Sequence, residues 1–273
     1  MKLTVVAAQT RVSWDLQRNL AAIAAALAGT RSGEIVVLPE AAVSGYDDQL
    51  SGLGRLDPDV ITAAIDRVAE QACERQIHLF CGSLLPENGT WLNAALYLGP
   101  DGSRQIYRKV NLATHERGRL AAGSALPVFP VQLPGGPVGA GVQLCREILF
   151  PEQWRYLAGA GAQLFVYPTY AANPTVPAGV WRSHLVSHAA ASQRFVVAAN
   201  VADPRQHCPS AVISPCGEVL GELPPAQPGL LRVVIDTGDC GDWYLGQRRE
   251  DVVRIVSAGG PGGSSPGPAP PSS

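Results

Sequence analysis

The chain has 273 residues, of which 46% are hydrophobic and 16% are charged, so it can bury a sizeable core. Its formal net charge of -2 gives no electrostatic footprint for nucleic acid or for an anionic membrane. No apolar run approaches the ~20 residues that span a bilayer, and the N-terminal segment has no signal-peptide cleavage pattern. We therefore expect a cytoplasmic protein that binds neither nucleic acid nor membrane.

The first part of the chain alternates strand and helix patterns. Apolar residues recur at helical spacing after Asp15 and after Asp57; Ser13 can cap the first of these helices, and Asp57-Pro58 opens the second. The dipeptide Asn88-Gly89 is a strong signal for a β-hairpin. The sequence predicts helices over 15–27 and 57–75, and strands over 3–9, 34–38, 78–85, 91–98 and 104–110.

Hairpin patterns become more frequent after residue 125. Helices are predicted over 151–158 and 178–193, and strands over 128–133, 138–144, 162–167, 195–199, 210–214, 218–222 and 230–235. Residues 258–273 contain mainly Gly, Pro and Ser, which cannot bury apolar surface, so we predict a disordered tail after one domain, 1–257. The mixture predicts helices packed outside sheets that contain both parallel and antiparallel pairs.

Three polar residues each follow an apolar strand: Glu40, Lys109 and Cys145. Ligands of sheets flanked by helices bind at the carboxyl ends of strands, so an acid, a cation and a thiol can meet in one pocket. Each residue alone has a simpler interpretation. Cys145 can be a small buried residue, Glu40 an acid at a helix start, and Lys109 a solvated surface lysine. Their shared position favours the functional interpretation.

Three motifs in this order resemble those of the nitrilase, or carbon-nitrogen hydrolase, superfamily. The glutamate motif is similar to Val37-Leu38-Pro39-Glu40 with Ser44-Gly45-Tyr46, and the lysine motif to Tyr107-Arg108-Lys109-Val110-Asn111-Leu112 with Glu116-Arg117. The cysteine motif is similar to Cys145-Arg146-Glu147 with Phe150-Pro151-Glu152. The resemblance runs from Ala8-Gln9 to the turn Pro215-Cys216-Gly217 and beyond.

This resemblance implies an α+β fold, a four-layer α/β/β/α sandwich with helices outside two mixed sheets. It also implies a homodimer or a higher homo-oligomer, with no cofactor and no metal. By the same resemblance, Glu40 is the general base, Lys109 the cation and Cys145 the nucleophile, while Glu116 orients the pocket. The residues predicted to bind the substrate are Tyr46, Arg146, Glu147, Thr169 and Tyr170.

The chain departs from the family pattern at several positions. It has Asn111 where the family often has His, Cys208 where Gly is usual, and Arg146 where an aromatic or small polar residue commonly follows the nucleophile. The family also often has Arg-Ala-x-Glu-Asn where this chain has residues 188–192, His-Ala-Ala-Ala-Ser. No catalytic group is removed, but the position of Arg146 at the pocket leaves the substrate open.

The leading hypothesis is hydrolysis of a small amide to a carboxylate and ammonia through a cysteine thioester. Carbamoyl compounds come next and nitriles last, because the nitrile branch of the family usually carries Trp at the position of Arg146. An acyl transfer to an amine is a further possibility. The rival from another class is a catalytically silent binding or scaffold protein, in which the Cys145 thiol would be unreactive.

Two other constellations are weaker. His184 and His188 lie four residues apart, a spacing that suits a metal on a helix, but there is no H-E-x-x-H motif and no evident third ligand. A cysteine protease needs a His oriented by Asn or Asp, and none of the five histidines is a clear candidate. The six cysteines contain no C-x-x-C pair, which argues against a zinc ribbon and against a disulfide framework.

Overall fold

The computed structural model describes residues 1–177 and 179–256. The predicted tail, 258–273, lies outside these residues. No helix in the described ranges is both long enough and apolar enough to cross a bilayer.

The first of two sheets is built mainly from the N-terminal part of the chain. Its strands are β1 (Lys2–Gln9), β2 (Ile35–Val37), β3 (His78–Glu87), β4 (Thr90–Leu98), β5 (Arg104–Arg108) and β12 (Gly229–Asp236). They lie in the order β12-β1-β2-β3-β4-β5. The central strands β1, β2 and β3 are parallel, while β4, β5 and β12 pair in an antiparallel sense with their neighbours. As a result, β2 and β5 end at the same edge of the sheet.

The second sheet is built from the C-terminal part. Its strands are β6 (Val128–Leu133), β7 (Gly136–Val142), β8 (Leu164–Pro168), β9 (Phe195–Ala199), β10 (Ala211–Ile213) and β11 (Val219–Glu222). They lie in the order β11-β10-β9-β8-β7-β6, with β7, β8 and β9 parallel. The carboxyl ends of β7 and β8 are therefore neighbours.

Four longer helices cover the outer faces of the sheets. They are α1 (Leu16–Ala28), α2 (Pro58–Arg75), α3 (Pro151–Gly159) and α4 (Val180–Ser192), and a short α5 (Trp243–Gly246) follows. Side-chain carboxylates cap α1 at Asp15 and α2 at Asp57. The cap of α1 was predicted at Ser13, and the structure places it two residues later. Because α1 and α2 pack on the first sheet and α3 and α4 on the second, the predicted four-layer α/β/β/α sandwich is confirmed.

The largest apolar cluster lies between the two sheets. It includes Val5 and Val37 from the first sheet and Val142 and Val166 from the second, all without exposed surface. Strands covered on both faces are expected to be apolar almost continuously, which explains the pattern in β2 and β8. This packing brings the strand ends of both sheets together.

All predicted strands and helices occur, with ends that differ by no more than a few residues. Four features were not predicted: the short helix α5 and three 3-10 turns, at Leu53–Arg55, at Cys145–Leu149 and at Thr237–Asp239. The second turn begins at the predicted nucleophile itself. Helix α5 includes Trp243 and Tyr244.

Candidate active site

The three residues at strand ends come together between the sheets. Glu40 follows β2 and Lys109 follows β5 in the first sheet, while Cys145 follows β7 in the second. The charges of Glu40 and Lys109 both act on the Cys145 thiol, so the three groups share one electrostatic environment. The prediction that an acid, an amine and a sulfur share one site therefore agrees with the geometry.

Lys109 makes two buried ion pairs. Its Nζ lies 2.8 Å from Glu40 Oε1 and 3.0 Å from Glu116 Oε2, and all three side chains are completely buried. Burial alone would lower the pKa of Lys109, but the two carboxylates outweigh it and raise that pKa. The lysine is therefore a permanent cation that holds the two acids together.

Asn93, on β4, is a member of the site that the sequence analysis missed. Its Nδ2 donates to Glu40 Oε1 at 2.8 Å and to Glu116 Oε1 at 2.6 Å. Its backbone carbonyl also accepts from the Lys109 N–H at 2.9 Å. The sequence did contain a signal for this role, since Asn93 is an amide side chain in the middle of an apolar strand. A buried amide needs hydrogen-bond partners inside the protein.

Glu116 is fixed on its other side by Tyr46 and by its own loop. It accepts from Tyr46 Oη at 2.7 Å and from the Ala113 N–H at 2.6 Å. Burial alone would raise the pKa of Glu116, but Lys109 and these donors lower it, so the group is ionised. Tyr46 Oη also lies 2.6 Å from His115 Nε2, and burial beside Glu40 and Glu116 raises the tyrosine pKa. Tyr46 thus acts here as a hydrogen-bond donor to the acid network.

Cys145 has a backbone conformation that side chains rarely adopt. Its φ of +44° lies in the left-handed region, and the Tyr167 hydroxyl fixes its carbonyl oxygen at 2.6 Å. Burial raises the pKa of the thiol, and Glu40 adds to the rise while Lys109 opposes it. The free site therefore contains a neutral thiol, which needs a base before it can attack.

Tyr170 connects the acid and the thiol through its backbone. Its N–H donates to Glu40 Oε2 at 2.9 Å, and its carbonyl oxygen accepts from Cys145 Sγ at 3.9 Å. Its ring lies 5.4 Å from that of Tyr46. The preceding residue, Thr169, has a buried Oγ1 that lowers the thiol pKa slightly but makes no hydrogen bond of ordinary geometry. The substrate-binding roles of Thr169 and Tyr170 remain predictions.

Glu147 ties the cysteine turn to the lysine loop. Its carboxylate accepts from Tyr107 Oη at 2.8 Å, from the N–H groups of Val110 and Asn111 at 2.9 Å, and from the Leu144 N–H at 2.8 Å. Burial raises its pKa to about 7, and these hydrogen bonds oppose that rise. Since both oxygens already have donors, the geometry favours an anchoring role for Glu147. The predicted contact with substrate has no geometric support here.

Arg146 lies directly after the nucleophile and is partly buried. Its guanidinium makes no hydrogen bond and no ion pair with any residue in the described ranges. The arginine does act electrostatically on His207.

His184 and His188 belong to the packing of α4. His188 Nε2 lies 2.7 Å from the Ile148 carbonyl oxygen, and its ring stacks on Trp154 with centroids 4.4 Å apart. The described part of the chain contains no group of three His, Cys, Asp or Glu residues that could hold a metal. All six cysteines lie in that part, and none forms a disulfide.

Comparison with known proteins gives one consistent result. Residues 2–245 match the family model described as carbon-nitrogen hydrolase. The chain is 26% identical over 240 residues to a probable nitrilase of Schizosaccharomyces pombe, covering 84% of this chain and 85% of that one. It is 25% identical over 259 residues to a 2-oxoglutaramate amidase of Paenarthrobacter nicotinovorans, covering 87% and 85%.

A solved structure is similar over almost the same range. The amidase from Nesterenkonia sp. aligns with a TM-score of 0.75 and 26% identity, covering 92% of this chain and 94% of that one. A mutant of that amidase shows covalent addition of the acetamide moiety of fluoroacetamide at its active-site cysteine. In that protein, therefore, the cysteine is a reactive nucleophile.

Proposed function

Since this chain belongs to the carbon-nitrogen hydrolase family and is an enzyme acting on non-peptide C–N bonds, we propose that it is an amidase with Cys145 as nucleophile. Its substrate is a small amide, which it converts to a carboxylate and ammonia. The observation that carries this proposal is the buried cluster of Glu40, Lys109 and Glu116 beside a partly buried cysteine with a left-handed backbone. The Nesterenkonia amidase and the 2-oxoglutaramate amidase support an amide as the substrate class.

The first half of the reaction forms a thioester. Glu40 takes the proton of the neutral Cys145 thiol, and the thiolate attacks the amide carbonyl carbon. Lys109 and the backbone N–H of Arg146 stabilise the negative charge on the carbonyl oxygen, and one such donor typically contributes ~3–4 kcal/mol. Glu40 then gives its proton to the leaving nitrogen, the C–N bond breaks, and ammonia departs.

The second half releases the acid. Glu40 takes a proton from water, and the resulting hydroxide attacks the thioester carbon. The C–S bond breaks, the thiolate recovers the proton from Glu40, and the carboxylic acid leaves. Asn93 and Glu116 hold the Glu40 carboxylate in place through both halves, while Lys109 stays charged.

The direct test is ammonia release across a panel of short amides, N-carbamoyl amino acids and nitriles. Cys145→Ala should release no ammonia from any of them while keeping a native circular-dichroism spectrum. Cys216→Ala is the matched control, because Cys216 is an exposed free cysteine outside the site. Full turnover by Cys145→Ala would contradict the proposal.

The same panel separates the competing substrate classes. An N-carbamoyl substrate releases carbon dioxide together with ammonia, whereas an amide releases ammonia and a carboxylate, with no carbon dioxide. A silent protein would release nothing, and its Cys145 would resist iodoacetamide at neutral pH. For an enzyme, peptide mapping should find Cys145 alkylated in step with the loss of activity.

We also propose that the chain forms a homodimer. Two aromatic side chains of α5 are open to solvent, Trp243 with 64% of its surface exposed and Tyr244 with 47%. Leu149, at the end of the cysteine turn, and Val180, at the start of α4, are exposed as well. Light scattering after gel filtration should give the mass of a dimer for the wild type and of a monomer for Trp243→Glu. Val60→Glu, on the outer face of α2, should stay dimeric; a monomeric wild type would exclude the dimer.

A further inference from the structure

Glu147 is a completely buried carboxylate that accepts hydrogen bonds from both sheets. The Leu144 N–H, directly before the nucleophile at the end of β7, donates to Oε2 at 2.8 Å. The N–H groups of Val110 and Asn111, which follow Lys109 after β5, each donate to Oε1 at 2.9 Å. One carboxylate therefore joins the backbone beside the nucleophile to the backbone beside the cation.

Tyr107 adds a fourth donor to Glu147. Its hydroxyl lies 2.8 Å from each of the two carboxylate oxygens and donates to them. A set of donors of this kind suits a carboxylate, which only accepts hydrogen bonds. A protonated carboxyl group has an O–H of its own, which would point at a group that already donates. A proton on Glu147 must therefore break at least one hydrogen bond of the set.

The two groups proposed to stabilise the oxyanion are next to these hydrogen bonds in the sequence. Lys109 directly precedes Val110, and Arg146, whose backbone N–H is the second donor, directly precedes Glu147. The two groups belong to different sheets. Donors stabilise an oxyanion only when they are already about 2.7–3.1 Å from the position that it will occupy. Their spacing therefore depends on what connects the two sheets at the site.

We propose that the ionised Glu147 is a positioning residue that holds Lys109 and the Arg146 N–H at the spacing that stabilises the oxyanion, and that a proton on Glu147 weakens this arrangement. The inference rests on the proposed amidase function, because it concerns the attack of Cys145 on an amide. Glu147 acts through the two backbones and not on the substrate. Burial raises the pKa of Glu147 from 4.5 to about 7. The arrangement is therefore complete above pH 7 and is lost progressively below it.

The groups that face Glu147 from the first sheet and from its own turn do not titrate near pH 7. Burial raises the pKa of Tyr107 well above its ordinary value of 10.0. Burial lowers the pKa of Lys109, but the nearby carboxylates outweigh it and give a net rise. In the turn, burial raises the pKa of the Cys145 thiol, and the guanidinium of Arg146 stays charged.

The nearest titratable group behind the turn is His188. Trp154 Nε1 donates to the Glu147 carbonyl oxygen at 3.0 Å, and the Trp154 ring stacks on that of His188. Burial lowers the pKa of His188 to about 4. A loss of activity centred near pH 7 is thus expected from Glu147.

The experiment measures kcat and KM against pH for the best amide of the panel. The activity of the wild type should fall on the acid side with a midpoint near pH 7. Glu147→Gln resembles the protonated acid in size and shape, so its kcat should fall by about 10²-fold, as for a catalytic group displaced by ~1 Å. Its KM should change little, because the lost interaction is made in the transition state. The midpoint near pH 7 should disappear in this variant.

Tyr107→Phe tests the assignment in the opposite direction. It removes one donor to the ionised Glu147 and keeps the three N–H contacts, so the ionised form becomes less favourable. The midpoint should rise by about one pH unit. Tyr97→Phe is the matched control, because it removes another buried hydroxyl of the first sheet, one that bonds to His78 at 2.9 Å, and it should keep the wild-type midpoint.

A Glu147→Gln variant with the kcat of the wild type, or with a midpoint still near pH 7, overturns the inference and leaves the amidase function intact. A midpoint that does not rise in Tyr107→Phe overturns it too, and this variant decides alone if circular dichroism shows that Glu147→Gln is unfolded. If the wild type releases no ammonia in a Cys145-dependent way, the proposed function fails and this inference fails with it.

Discussion

Lys109 Nζ lies 2.8 Å from Glu40 Oε1, and neither side chain has any exposed surface. A second carboxylate, that of Glu116, lies 3.0 Å from the same ammonium group. Moving such charges out of water costs several kcal/mol each, and the cost is offset only while every partner is present. We therefore expect the cluster of Lys109, Glu40 and Glu116 to affect the stability of the fold as well as the activity.

Removal of the lysine charge should destabilise the fold. Lys109→Met leaves two carboxylates buried without a cation, and we expect the free energy of unfolding to fall by ~3–5 kcal/mol, as for other broken buried ion pairs. Urea denaturation followed by fluorescence measures the change. Activity should also be lost, because no ammonium group remains beside the carbonyl oxygen.

Lys2→Met is the natural control, because Lys2 and Lys109 are the two lysines of the sequence and Lys2 is exposed on β1. A surface substitution of this kind typically changes stability by less than ~0.5 kcal/mol. Equal denaturation midpoints for the two variants would show that the buried cluster does not contribute to stability.

Gly82 on β3 should be required for the position of the base. A Cβ atom added there would lie 2.3 Å from the Ala41 nitrogen and 2.5 Å from the Glu40 Cα, both backbone atoms that cannot move aside freely. Gly82→Ala must therefore displace Glu40, and a shift of ~1 Å in a catalytic group can cost ~10²-fold in rate. Steady-state kcat/KM for the best amide measures this. In Gly54→Ala the new Cβ meets nothing within 4 Å, so activity there should match the wild type.

His188 should make the fold sensitive to acid. Burial lowers the folded-state pKa of His188 to about 4, below the ordinary 6.5. The neutral, buried ring contributes its full stabilisation of the fold above pH 6.5. As the pH falls from 6.5 towards 4, the free energy of unfolding decreases by about 1.4 kcal/mol per pH unit, to a total of at most ~3 kcal/mol. Between pH 7.5 and pH 4.5, the free energy of unfolding should fall less in His188→Gln than in the wild type. His184→Gln, one turn earlier on α4, is the histidine control, and an equal fall in all three proteins would contradict this role.

Much of the fold was predictable because strands enclosed on both faces are apolar throughout and helices begin at aspartate caps. The positions of Glu40, Lys109 and Cys145 at strand ends were predictable as well, although the strand before Lys109 is a partly exposed edge strand. Asn93 was not, because its role depends on which groups the packing leaves near it. The backbone of Tyr170 could not be predicted either, since a main-chain N–H and carbonyl have no signature in the residue type. The Tyr170 N–H reaches Glu40 because the loop after β8 packs against that residue, and only the structure shows this packing.

The strand order has a consequence for when the site forms during folding. The sulfur is carried by one sheet and its base by the other, so the pair exists only once both sheets have closed over their shared core. When the two sheets are apart, Glu40 is not beside the Cys145 thiol, so the proposed proton transfer between them cannot take place. The complete site therefore requires the packed interface between the two sheets.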